Sequence, residues 1–139
     1  PLVPATTRAP LRGLVRASLL PILPGAAGVP GLEACDLDGF LDRLHHDAPP
    51  TVWWGLVAAA LAFQLAPILT VARPWPAAAL SPRLRDRHAA ACARSRIYLL
   101  RQATFLLKTF AGACWGADPA VRRALQLPAY PPDPAWEAR

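Results

Sequence analysis

Apolar side chains recur along this chain at helical spacing, and proline and glycine mark where each run stops. Leu11, Leu14, Val15, Leu19 and Leu20 share one side of a short amphipathic segment, with Arg12 and Arg16 opposite and Pro21 closing it. A loop rich in glycine and proline follows, to about Leu32. Asp36 then has the chemistry of an N-cap, and Leu37, Phe40, Leu41 and Leu44 form an i, i+3, i+4, i+7 stripe. Asp38, Asp42, Arg43 and His46 take the outer side, and Pro49-Pro50 ends the helix.

Residues 52–72 are apolar all round except for Gln64 and Thr70. Two readings stand for this segment. It is the central helix of a small bundle, buried on every side. Alternatively it enters or lies on a membrane, since its length approaches the roughly 20 residues that span a bilayer. In that case Trp53, Trp54, Leu56 and Phe63 are the membrane-contact residues, with Arg73 anchoring the other end.

Arg73-Pro74-Trp75-Pro76 breaks the chain, and Ser81-Pro82 restarts it with a capping hydroxyl and a proline at the first helical position. The pattern predicts one long helix from there to about Trp115. On it Arg87, Arg94, Arg101 and Lys108 fall at steps of seven and make one basic line with no acid between them. Leu99, Leu100, Ala103, Leu106, Leu107, Phe110 and Cys114 fill the remaining side, with Trp115 in the core. Asp118-Pro119 caps a last short helix that docks through Val121, Leu125 and Leu127, leaving Arg122 and Arg123 outside. No strand-like alternation is long enough to name. The expected fold is therefore all-α: one domain over residues 1–139, a bundle of about five helices. Extended proline-rich arms, residues 1–10 and 128–139, flank it.

Composition adds surplus grease and positive charge. Hydrophobic residues make up 54% of the 139 and charged ones only 17%, against about 25% charged in an ordinary domain. Such a chain fills a core and has apolar surface left for a partner or a membrane. The net charge of +6 is carried almost wholly by arginine. It permits attraction to an acidic protein surface, anionic lipid or nucleic acid without choosing among them. No helix-turn-helix or RNA-binding signature accompanies it, so nucleic acid is not among the expected partners.

Reactive chemistry is sparse. Cys35, Cys92 and Cys114 have no CxxC spacing and read as buried free thiols, the alternative being a bond from Cys35 to either of the others in an oxidising compartment. Cys92 and Cys114, if on one helix, would stand about 33 Å apart. His45 and His46 point about 100° apart on a helix and cannot readily share a metal ion; a polar helix end explains them. His88, among arginines, reads as a surface residue. Neither a nucleophile elbow nor a glycine-rich phosphate loop is present. No catalytic, cofactor-binding or metal-binding residue is therefore assigned.

The segments "LVRASLLPILPG", "DLDGFLDRLHHDAPP", "WPAAALSPRLRDRH" and "FLLKTFAGACWGADPAVRRALQLP" together touch most of the chain. In their order the chain resembles the gluconate 2-dehydrogenase subunit 3 family, small companions of membrane-bound flavin oxidoreductases of the glucose–methanol–choline type. The resemblance implies a non-catalytic subunit that stabilises a flavoprotein, FAD being held by that partner and none by this chain. It also implies membrane association for the assembled complex. On this reading Arg87, Arg94, Arg101 and Lys108 meet the partner, with Trp75, Tyr130 and Trp136 as aromatic anchors. The alternatives are a solvated basic side with no partner, and a membrane-anchored structural protein using residues 52–72.

Overall fold

Side-chain caps and prolines set most of the helix boundaries. The computed structural model describes residues 5–129, and among them the chain forms seven α-helices and no strand. In chain order these are α1 (Ala5–Leu19), α2 (Leu37–Asp47), α3 (Pro50–Leu65), α4 (Pro67–Thr70), α5 (Pro82–Ala93), α6 (Tyr98–Ala117) and α7 (Pro119–Ala124). Five are long enough to act as bundle helices, as the periodicity predicts. The amino-terminal arm is shorter than expected, because α1 already runs from Ala5 through Pro10. Pro10 there removes one backbone bond and crowds the carbonyl four residues back.

Two aspartates cap as expected. Asp36 Oδ1 accepts from the Gly39 N–H at 2.9 Å. Asp118 Oδ1 accepts from Ala120 and Val121 at 2.8 and 3.2 Å. Ser81 does not cap α5 with its hydroxyl, and the helix starts on the fixed φ of Pro82 alone.

α3 is the centre of the bundle, packed against α1 on one side and α6 on another. Val15 and Leu19 of α1, Leu37 and Leu41 of α2, Trp53, Leu56 and Phe63 of α3, and Leu100 and Leu107 of α6 form the core. Arg12 and Arg16 pair with Asp38 and Asp42 across α1 and α2 at 2.7–3.5 Å. These pairs are largely exposed and contribute fractions of a kcal/mol, roughly 0–1 each.

The long helix expected over residues 81–115 is two helices. Ser95 interrupts it: its hydroxyl accepts from the Ile97 N–H at 3.1 Å, and its carbonyl accepts from the Arg101 guanidinium at 2.9 Å. Such local bonds offer the backbone an alternative to the helix. Cys92 and Cys114 thus lie on different helices, and the single basic line does not exist. Arg87 is on α5, Arg94 sits in the turn, and only Arg101 and Lys108 share α6.

Residues 52–72 also divide. Pro67 has no N–H to give the Phe63 carbonyl four residues back, so α3 ends and α4 begins there. Contrary to the bundle-centre reading, α3 is not buried on every side: Trp54, Leu61 and Leu65 are exposed. Nor do Leu125 and Leu127 dock fully, since both remain exposed while Val121 is buried. Beyond α4 the chain turns at Ala72, held at φ 53°. A left-handed alanine costs about 1–2 kcal/mol that glycine does not. Ala72→Gly is therefore expected to raise the urea midpoint by the equivalent of up to about 1 kcal/mol, part of the relief being offset by the greater freedom of the unfolded glycine. A lowered midpoint would contradict the assignment of strain.

Candidate functional site

The polar groups placed in the interior are structural. His88 is fully buried, not on the surface as its arginine neighbours suggest. Its Nε2–H donates to the Phe63 carbonyl at 2.9 Å, the acceptor that Pro67 leaves without a helical donor. Its Nδ1 lies 2.6 Å from the Thr70 hydroxyl. With the hydrogen on Nε2, Nδ1 accepts from Thr70, and the neutral ring satisfies both contacts. Burial holds the His88 pKa below its ordinary value, against a smaller opposing effect of the Phe63 bond. The ring also packs on Phe63 with centroids 4.6 Å apart. Gln64, which only interrupts the apolar run in sequence, donates to Ser18 at 2.9 Å and accepts from the Ala78 N–H at 2.8 Å. It ties α3 to α1 and to the turn before α5.

The three cysteines are free thiols. Burial pushes each up to about 11, with Asp118 and Cys114 adding to the effect at Cys35, Thr104 opposing it at Cys92, and Asp118 and Asp36 adding to it at Cys114. At neutral pH all three stay protonated and are poor nucleophiles. His45 stacks edge-on against Trp53 at the end of α2, with ring centroids 4.8 Å apart. No group of three histidine, cysteine or acidic side chains among the described residues is arranged to hold a metal. A surface depression of about 430 Å³ is lined by Ala117, Pro119, Arg122, Arg123, Leu127 and Ala129. It joins apolar walls to two guanidinium groups, without a carboxylate or imidazole to serve as a base.

The surface carries more information. Of the four residues expected to contact a membrane, Trp53, Leu56 and Phe63 are core residues. All three face the interior, Trp53 against His45 of α2 and Phe63 against His88 of α5, which removes them from any external contact. Only Trp54 is exposed. The outward positions are Trp54, Ala58, Leu61 and Leu65, spaced four, three and four residues apart, and Ile68 and Leu69 continue them on α4. Leu65 and Leu69 are 64% and 69% accessible.

A second exposed face lies on α6. Tyr98, Gln102, Phe105 and Thr109 form one helical stripe, with Arg101 and Lys108 along its edge. The Arg101 guanidinium lies 5.6 Å from the centre of the Tyr98 ring. Tyr98 and Phe105 are 62% and 66% accessible, and Leu99, expected to pack inward, is exposed on the first turn. Arg87, Arg94, Arg96, Arg101 and Lys108 are exposed and make no ion pair among the described residues. Trp75 is exposed in the loop after α4. Tyr130 and Trp136, the remaining expected anchors, lie outside the described residues.

Sequence pattern missed Tyr98 and Phe105 as surface residues. Once α6 is known to start at Tyr98, their spacing with Gln102 and Thr109 identifies the outward side. No helix of the described residues is long and apolar enough to cross a membrane. Compared with models of known protein families, with curated proteins and with solved structures, the chain matches none.

Proposed function

We propose that this chain is a non-catalytic subunit that binds and stabilises a membrane-associated, FAD-dependent dehydrogenase or oxidase of the glucose–methanol–choline type. The flavin belongs to the partner. The resemblance of its segments to the gluconate 2-dehydrogenase subunit 3 family names the partner class. One structural observation carries the docking role: the α6 stripe of Tyr98 and Phe105 beside Arg101 and Lys108. Exposed tyrosine, phenylalanine and arginine in one patch have the composition of protein interfaces, where a few such side chains dominate the binding energy. The adjoining turn adds Arg94 and Arg96, whose planar forks suit carboxylates on an opposing surface.

The test is co-expression of the tagged chain with the flavoprotein of its host. Wild-type chain is expected to retain a yellow, FAD-containing polypeptide through purification. Tyr98→Ala with Phe105→Ala weakens retention about tenfold or more, as loss of interface anchors does, while the circular dichroism of the chain stays unchanged. Retention unaffected by both substitutions would place the partner elsewhere, and absence of any flavoprotein would remove the reading.

A membrane-anchored structural protein is the second reading, favoured by the apolar surface of α3 and α4. The 16 residues of α3 reach about 24 Å, short of the roughly 30 Å of a bilayer core. Contact along the surface is the form of membrane association that this helix suits.

A further inference from the structure

We infer that the outward stripe of α3 and α4 lies in the interface of an anionic lipid surface, an assignment that rests on the reading of the chain as part of a membrane-associated complex. The stripe differs in composition from the α6 face. Its middle is aliphatic, with Leu61, Leu65, Ile68 and Leu69 exposed over two consecutive helices. Trp54 stands at one end and Trp75 beyond the other, both exposed. Tryptophan together with leucine on the apolar side is the composition of helices that lie in the membrane interface. From Trp54 to Leu65 the band extends about 16 Å along α3, and Ile68 and Leu69 follow on α4. That suits a helix lying in the plane of a membrane with its apolar side entering the headgroup–acyl boundary.

Charge selects the lipid. No acid occurs from Ala48 to Pro82, a stretch in which Arg73 is the charged residue. Five acids, Glu33, Asp36, Asp38, Asp42 and Asp47, are gathered instead between α1 and the end of α2, where several pair with arginines. Arg73 is exposed immediately after α4 and makes no ion pair among the described residues. An aliphatic band bordered by unpaired arginine and free of carboxylates complements anionic headgroups. A protein partner would equally cover apolar surface, but the middle of the stripe, Leu61, Leu65, Ile68 and Leu69, offers no hydrogen-bonding side chain to fix its register.

The experiment is flotation of the full-length chain, dilute and without partner, with vesicles of phosphatidylcholine alone or with about one quarter phosphatidylglycerol. The chain is expected to float with the anionic vesicles and weakly with the neutral ones. Leu65→Gln with Leu69→Gln should reduce partition about tenfold or more, because exposed apolar area supplies the affinity. Arg73→Gln should lower the preference for anionic vesicles, and Tyr98→Ala should leave flotation unchanged. All these positions are exposed, so unchanged circular dichroism certifies the fold of each variant. Absence of flotation with either vesicle, or equal flotation of the double glutamine variant, would overturn the assignment. So would self-association that the same variant abolishes without any vesicle binding. None of these results depends on a flavoprotein, so lipid contact and partner docking fail separately.

Discussion

His88→Ala is expected to cost the fold about 3–4 kcal/mol, combining a buried cavity with an orphaned carbonyl. The Phe63 oxygen is the group at stake, because Pro67 cannot donate to it and His88 does, at 2.9 Å. His88→Leu fills more of the space and isolates the hydrogen-bond loss, which should be about 1–3 kcal/mol. Pro67→Ala restores a backbone N–H at the break between α3 and α4. In the His88→Leu background it should recover about 1 kcal/mol, a coupling read from a double-mutant cycle of urea midpoints.

The same residue sets a pH dependence. The folded-state pKa of His88 lies below its ordinary value of 6.5 because burial penalises the imidazolium. As pH falls below 6.5, the unfolded chain takes up the proton first, so stability present above that pH declines. The decline continues until the folded-state His88 itself protonates. Urea midpoints across this range should show the slope in the wild type and a shallower one in His88→Leu. An equal slope in both would assign the acid sensitivity to other groups.

Phe63→Ala is the second large effect, expected at about 3–5 kcal/mol. Phe63 is fully buried and packs against His88. Its loss opens a cavity and loosens the ring that holds its own carbonyl. Leu61→Ala, two residues away and exposed, should change stability by no more than about 0.5 kcal/mol. Thermal or urea unfolding of the pair therefore separates the inward from the outward side of α3. Equal effects would mean that the helix is rotated from its described position.

That contrast shows where the amino-acid pattern is informative. α2 was legible because Asp36 caps it and polar residues mark its outer side. α7 was legible for the same reason at Asp118. In residues 52–72 nearly every position is apolar, so spacing alone cannot say which side meets solvent; neighbours decide that. Trp53 and Trp54 are adjacent, yet one is core and the other is exposed. The interruption at Ser95 was hidden because the arginines around it continue a seven-residue spacing. His88 was hidden because its partners, Phe63 and Thr70, are 25 and 18 residues away. Pro67 four residues after Phe63 was the available signal: a proline at the end of an apolar helix leaves a carbonyl that needs another donor.

The two exposed faces follow from the same surplus of apolar residues. Twelve large hydrophobic side chains stay accessible on the described surface, and those of α3–α4 and α6 are grouped into stripes, which is how contact surfaces differ from scattered exposure. Tyr98 and Phe105 beside Arg101 and Lys108 make up the α6 face, whereas the middle of the α3–α4 face is aliphatic, with Trp54, Trp75 and Arg73 only towards its ends. That difference is the basis for assigning one to a protein and the other to lipid.

The most direct measurement is the visible absorption spectrum and subunit content of the complex that the chain forms when purified from its native host in mild detergent. The account predicts flavin bands and a second, larger polypeptide in stoichiometric amount. A colourless, monodisperse chain with no companion would contradict it.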